Sequence, residues 1–436
     1  MRWSWIARAV VACSLTLCLA LGLTATAATQ SIAVDRQRGL QMLDQVREDL
    51  VQDYWDPRFG GVDLDALIER ARQRINAAQS LGEIFGLVAG VCLDLRDSHT
   101  TFYPPSRVQE VEYGWSWQYV GDRALVDWVD DGSDAQVKGL RIGDAVLEVS
   151  GFTLTRATHR TISYLLHQLR PQPQLMVTVE RDGARRTLTL LSKFRKNRKR
   201  LDVDNELDRH VIQMRSAFAE AATPKPKQEW LAPGVLYWRM PHFFLNVFQL
   251  DSQVDKIGKA RQLVLDLRGN PGGKIVVLGI VAGLFAPEGT PILTMTSRDG
   301  TEKHSTGRKT AVFAGPIVVL VDSGSGSCAE MLAYFLQQRG AKVIGDATDG
   351  LVRGSQTKSH AAGDGDYKVL YSVQVTMFDI AMADGTRLEG RGVRPDILSL
   401  PVSDDLEKKL DPVLAQAAAS FGVTIDSQRA GRLSRQ

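Results

Sequence analysis

Two strand-length apolar runs each break directly into a turn of glycines and small residues, and then into a helical run. No other feature constrains this chain as tightly. Leu263 to Leu267 leads through Asp266-Leu267-Arg268-Gly269-Asn270-Pro271-Gly272-Gly273 into a helical stretch from Ile275 to Leu284. Ile317 to Val321 leads through Asp322-Ser323-Gly324-Ser325-Gly326-Ser327 into a second one from about Ala329 to Gln338, followed by a strand at Lys342 to Ile344. Continuous apolar strands alternating with helices are the signature of an α/β layer structure. With a further strand at Val235 to Trp238, residues 230–402 are expected to form an α/β core whose specialised part is a strand–turn–helix elbow.

The remaining chain has a different periodicity, so the expected fold class is α/β (α+β) and multidomain. Apolar residues recur at helical spacing through Leu40, Leu43, Val46, Leu50, Leu64, Leu67, Ile68, Ile84, Leu87 and Val91, giving an N-terminal helical region over 33–110. Over 111–195 short alternating runs at Ala124 to Val129, Ala145 to Val149 and Leu175 to Val179 are punctuated by turns such as Asp131-Gly132-Ser133 and Arg181-Asp182-Gly183, with a helical stretch from Arg160 to Leu169 between them. A basic run from Lys193 to Arg200 opens a linker and helix at 196–229, read as a solvated linker or strand end. Residues 403–436 are expected to form a C-terminal helix and tail, with the polar residues beyond 424 disordered.

Residues 1–28 have the zones of a cleavable secretory signal: Arg2 and Arg8, an apolar run from Ala9 to Leu23, and the small residues Ala25-Thr26-Ala27-Ala28. Export to the periplasm or exterior is therefore expected, with no membrane span once the signal is removed. Without Arg2 and Arg8 the chain carries 51 basic and 50 acidic residues, a balance that gives no reason to expect a nucleic-acid partner. The same removal leaves Cys92 and Cys328, which could pair in an oxidising compartment but read more simply as two buried thiols. The seven histidines show no metal-ligand spacing, so neither a metal nor an organic cofactor is expected.

Each glycine turn places backbone N–H groups at a helix start, where negative charge is favoured. Taken singly, either turn could cradle an anion or serve as a tight capped helix start. Together, in this order and with the segments Asp97-Ser98-His99-Thr100, Gly345-Asp346-Ala347-Thr348 and Glu389-Gly390-Arg391-Gly392-Val393-Arg394-Pro395-Asp396, they resemble the carboxyl-terminal processing (tail-specific) peptidase family. The resemblance runs over roughly residues 35 to 400. It implies a serine endopeptidase acting on polypeptides, with Ser327 as nucleophile and oxyanion donors from the N–H of Cys328 and from the Gly272-Gly273 turn. Ser323 and Ser325 fit as turn residues, and Glu330 as a helix-start charge or a structural hydrogen-bond partner.

The sequence departs from the Ser–Lys members of that family at the base. Thr348-Asp349-Gly350-Leu351-Val352-Arg353-Gly354 puts Leu351 or Arg353 where a lysine is required, and Lys358 lies outside the segment. Leucine takes no proton, and arginine stays charged. The base position is closer to the histidine-dependent, tricorn-type branch, which implies His99 as general base, with Ser98 and Glu389 orienting it. Histidine ordinarily titrates near neutral pH, which suits that role.

Residues 111–195, with Gly139-Leu140-Arg141-Ile142-Gly143-Asp144, resemble a PDZ module. The implied peptide-binding loop is Tyr113-Gly114-Trp115-Ser116, although its sequence departs from the usual one; docking on the core as a gate is the other reading. A non-catalytic binder of peptides or apolar ligands, as in the related interphotoreceptor retinoid-binding protein, is the rival function. The retained serine, histidine and glycine turn weigh against it.

Overall fold

The strand Gln262–Asp266 and the strand Ile317–Val321 lie side by side and parallel, with Leu263 opposite Ile317 and Asp266 opposite Leu320. That register delivers both glycine turns to the same end of one sheet. The computed structural model describes residues 32–106, 109–196, 225–245, 247–307, 313–364 and 368–435. The expected signal at 1–28, the basic residues 198–200 and most of the linker 196–229 lie outside them.

The sheet that carries the turns has six strands in the order Lys227–Ala232, Val235–Arg239, Gln262–Asp266, Ile317–Val321, Lys342–Gly345 and Ile397–Leu398. All neighbours are parallel except the first pair. Helices cover both faces, which is why its strands are apolar throughout rather than alternating. On one face the helices Ile275–Ala282 and Cys328–Gln337 pack through Val277, Leu278, Val281, Leu332 and Leu336. On the other, Val264, Val318 and Leu320 meet Val413, Leu414 and Ala417 of helix Pro412–Ala419 and Ala430 of helix Ser427–Arg435.

That last helix corrects the expectation of disorder beyond 424. The segment is polar, but Ile425 and Ala430 are buried. Arg239 donates to the Ser434 carbonyl at 2.5 Å. A few small apolar residues on one face suffice where a neighbouring helix and sheet are waiting for them.

A second sheet stands beside the first. Its long central strand Val369–Met382 pairs with Thr101–Tyr103, with Pro291–Thr296 and with Arg353–Ala362, and Thr301–Ser305 closes the edge. The helices over 32–53, Leu64–Ala77 and Leu81–Asp94 pack on it through Ile84, Phe85, Phe102, Tyr371, Val373 and Val375. Asp63 and Ser80 cap the second and third helices.

Between Trp115 and Leu191 lies a separate antiparallel sheet, in the order Trp115–Val120, Arg123–Val129, Ala145–Val149, Gln174–Arg181, Ala184–Leu191. It has a core of its own, including Trp115, Tyr119, Val126, Leu166 and Val177. The helix expected from Arg160 starts at His159, runs to Tyr164, and widens over Leu165–Leu169. Of the basic run, Lys193–Lys196 is a strand paired with Gln109–Glu112, where Arg195 meets Glu112 at 2.9 Å. Among the described residues no helix is long and apolar enough to cross a membrane.

Candidate active site

Ser327 stands between the strand Ile317–Val321 and the helix Cys328–Gln337 with φ 52° and ψ −119°. A non-glycine residue is seldom held there unless its surroundings over-determine it, and here they do. The Ser327 N–H donates to the Leu351 carbonyl and to Glu330 Oε2, both at 3.0 Å. Glu330 is fully buried and also accepts from Thr348 Oγ1 at 2.5 Å and from the N–H groups of Gly350 and Leu351 at 2.8 Å. Burial raises its carboxyl above the usual range, and the hydrogen bonds it accepts oppose that shift. Glu330 thus ties the serine turn to the loop 348–351, the structural role expected of it.

The other serines of the turn are consumed in shaping it. Ser325 Oγ accepts from the Asp322 N–H at 3.0 Å and donates to the Leu267 carbonyl at 2.9 Å. Ser323 Oγ donates to the Tyr119 carbonyl at 2.5 Å. Asp322 joins the two glycine turns directly, accepting from Gly269 N–H at 2.8 Å and from Gly324 N–H at 2.9 Å.

The first turn passes so close to Ser327 that a Cβ on Gly272 would lie 2.6 Å from the Ser327 Cβ and 2.9 Å from the Cys328 nitrogen. Only glycine fits there, and its φ of +96° requires glycine as well. The two expected oxyanion donors of this turn are not equivalent. The Gly272 N–H donates to Asn270 Oδ1 at 2.8 Å, while the Asn270 amide donates to the Met240 carbonyl at 2.7 Å. The Gly272 N–H is therefore committed to the turn, whereas among the described residues no residue accepts from the N–H groups of Gly273 and Cys328. The Cys328 thiol is buried, donates to the Gly273 carbonyl at 3.3 Å, and is pushed up to about 12 by burial. Cys92 and Cys328 are both free, so no disulfide links them.

The histidine side comes from elsewhere in the chain. Asp97 accepts from the N–H groups of His99 at 2.8 Å and Thr100 at 2.7 Å, and from Thr376 Oγ1 at 2.7 Å, which fixes the loop against the long central strand. Ser98 donates from its N–H to Glu389 Oε1 at 3.0 Å and from Oγ to Glu389 Oε2 at 2.9 Å. Its Oγ also lies 2.6 Å from His99 Nδ1. The serine has one proton and gives it to Glu389, so it accepts from His99. That assigns the hydrogen to Nδ1 and leaves a lone pair on Nε2.

Glu389 further accepts from the Val352 N–H at 2.7 Å. Val352 follows Leu351, whose carbonyl holds Ser327, so the two halves of the site share one loop. Burial lowers His99 to about 4, Asp97 works against that shift, and the positive charges of Arg353 and Arg160 add to it. The neutral, proton-accepting form therefore persists well below the near-neutral range expected from the residue type. Burial raises the Glu389 carboxyl against its hydrogen bonds from Val352 and Ser98. Among the described residues no hydrogen bond joins Ser327 Oγ to His99.

Both alternative bases are engaged in ion pairs. Lys358 is paired with Asp53 and lies 3.7 Å from Asp49. Arg353 is paired with Asp379. Among the described residues no cluster of side chains could hold a metal ion.

The implied peptide loop is partly committed to the inserted sheet. Tyr113 and Trp115 are buried, and the Tyr113 hydroxyl donates to the Leu166 carbonyl at 2.9 Å. The Gly114 carbonyl accepts from Asp130 N–H, and Ser116 donates to Asp127 at 2.6 Å. The outer edge of Trp115–Val120 pairs with no strand among the described residues. This sheet is fastened to the core near the serine turn: Arg160 donates to the Ser323 carbonyl at 3.0 Å, His159 lies 3.2 Å from Asp349, and Asp346 accepts from Gly121 N–H at 2.8 Å. Asp97, Asn270 and Asp322 were given no separate role from the sequence. The only signal for them was an acidic or amide side chain beside a turn.

With both glycine turns, the serine and the carboxylate–serine–histidine chain in place, the comparison with known proteins is specific. Residues 234–399 match the sequence model of peptidase family S41. This region is similar to that family. The chain is 29% identical over 152 residues to the carboxy-terminal processing protease CtpA of Bacillus subtilis (strain 168), covering 34% of this chain and 31% of that protein. It is 32% identical over 164 residues to a carboxyl-terminal-processing protease of Synechocystis sp., covering 36% and 37%. The chain thus spans about a third of the length of these curated relatives. Beyond the S41 region, the whole fold is similar to solved structures. Mature CPAF complexed with lactacystin superposes with a TM-score of 0.61 at 14% identity, covering 92% of this chain and 99% of that one. A photosystem II D1 C-terminal processing protease gives 0.50 at 18%, covering 89% and 98%.

Proposed function

We propose that this protein is an exported serine endopeptidase that cleaves polypeptides, with Ser327 as nucleophile and His99 as general base. The observation that carries this reading is the unbroken chain of hydrogen bonds from Glu389 through Ser98 to His99 Nδ1, which leaves Nε2 as the acceptor. In the free enzyme catalytic hydrogen bonds are commonly long and tighten when substrate binds. Nε2 takes the Ser327 proton as Oγ attacks the scissile carbonyl. The carbonyl oxygen becomes an anion held by the N–H groups of Cys328 and Gly273. His99 then returns the proton to the leaving amine, and water repeats the sequence on the acyl-enzyme. Export rests on the signal zones at 1–28. Residues 111–195 act as a PDZ-like peptide-binding domain, supported by the edge of Trp115–Val120 that pairs with no strand among the described residues, along which an extended peptide can add as a strand.

Labelling of the purified protein with a fluorophosphonate, from pH 3 to 8, tests the reading. Labelling is expected in the wild type, absent in Ser327→Ala, severely slowed in His99→Ala, and lost with a midpoint near 4 as the pH falls. A wild type that never labels and leaves unfolded polypeptides intact overturns it.

A further inference from the structure

The strand Arg353–Ala362 begins one residue after Val352, so Arg353 enters the site on the same loop that holds Ser327 and Glu389. Its side chain is 15% exposed and pairs with Asp379, which is itself fixed by Arg387 at 2.9 Å. The guanidinium lies 4.6 Å from the ring centre of Trp55, whose backbone N–H donates to the Thr376 carbonyl at 3.0 Å. Its Nε is buried, makes no hydrogen bond, and stands 3.8 Å from Glu389 Oε1. An arginine paired with one carboxylate and stacked on an indole has little freedom left, so its charge is held in one place.

We propose that Arg353 is a positioning residue for the catalytic histidine, holding the Glu389 carboxylate in the orientation that aims Ser98 and His99 at Ser327. The inference rests on the peptidase reading of the site. Ser98 and Val352 fix Glu389 by hydrogen bonds, and Arg353 supplies the positive charge beside it. Together with the hydrogen bonds from Val352 and Ser98, that charge opposes the burial that raises the carboxyl. It also faces His99. The other groups facing the imidazole are Asp97 on its own loop, Arg160 on the inserted helix His159–Tyr164, and Glu389 through Ser98. Removing Arg353 therefore makes His99 easier to protonate while loosening its aim.

The test compares kcat, KM and labelling rate across pH 3 to 8 for the full-length wild type, Arg353→Met, Arg353→Lys and Trp55→Leu, on an unfolded polypeptide substrate. In Arg353→Met the plateau kcat is expected to fall about tenfold or more with KM unchanged, a loss in the range of oriented acid–base catalysis. Its acid midpoint should move up by about one pH unit, as expected for loss of a nearby like charge. Arg353→Lys keeps the charge but not the planar guanidinium that stacks on Trp55, so its midpoint should stay put while kcat falls severalfold. A folded Arg353→Met with the wild-type plateau and midpoint overturns the inference alone. Should that variant not fold, Arg353→Lys and Trp55→Leu decide: reduced kcat at constant KM supports positioning, and wild-type kcat in both overturns it. A wild type that neither labels nor cleaves overturns the peptidase reading, and this inference with it.

Discussion

The serine arm and the histidine arm of this site are built over different ranges of sequence. Ser327 is held by Glu330 three residues on, by the loop at Leu351, and by a glycine turn whose link to Asp322 spans 53 residues on a neighbouring parallel strand. His99 depends on Ser98 beside it and on Glu389, 291 residues away. The serine arm follows from strand register and a helix start, which short-range sequence specifies. The histidine arm exists only when the N-terminal loop, the long central strand and the Leu388–Gly392 loop have all packed together. A local arm should therefore fail only when it is struck directly, whereas an assembled arm should weaken with any of its three segments.

The largest effect sharpens the first half of that comparison. Ser327→Ala should reduce kcat by roughly 10⁴–10⁶-fold while leaving the melting temperature close to wild type, because loss of a nucleophile costs nearly all of the chemistry and little packing. Stopped assays against a quenched polypeptide, with melting in parallel, check both halves.

Next come Ser98→Ala and Glu389→Gln, each expected to lower kcat on the order of 10²-fold. A double variant that loses far less than the product of the two would mark them as one unit. Independent, multiplicative losses would break the view of a single assembled arm.

A smaller loss is expected from Asn270→Ala, which leaves the Met240 carbonyl and the Gly272 N–H without partners in a fully buried position. Each unsatisfied group costs about 1–3 kcal/mol of stability. Denaturant unfolding reads that cost, and unchanged stability would mean the turn holds itself without the amide.

The smallest effects separate chemistry from scaffold. Lys358→Ala should leave kcat unchanged and remove no more than about 1 kcal/mol, since its ion pairs are partly solvent-exposed. For pH, His99 is depressed from 6.5 to about 4 in the folded chain. Between those values the unfolded chain binds a proton that the folded chain does not, so this group's contribution to stability is present above 6.5 and lost as the pH falls towards 4. In His99→Gln that part of the stability–pH slope should disappear.

The sequence carried the serine arm almost whole. The strand at Ile317 has the expected bounds, and the strand at Leu263 and the helix after Ser327 differ from theirs by about a residue, because buried parallel strands and glycine turns leave strong local marks. Ser98, His99 and Glu389 were also named, but through resemblance rather than pattern, and nothing local distinguishes Glu389 from a surface carboxylate before a glycine. What stayed hidden was set by neighbours. The depressed titration of His99 comes from burial. The loss of the Gly272 donor comes from a buried amide two residues away. The ordered C-terminal helix comes from a sheet face assembled by residues far upstream. The long hairpin Arg353–Ala362 and Val369–Met382 was missed as well, its polar outer face masking the strand pattern.

The separation between Ser98 and Glu389 also places the site in time. A ribosome adds roughly 5–20 residues per second, so the serine turn leaves synthesis several seconds before the carboxylate that orients the histidine. Until then a nascent chain carries its nucleophile without an aimed base. On the proposed reading, competence to cut waits on the segment around Glu389; stalled chains ending just before and just after Glu389 should differ in their reaction with a fluorophosphonate.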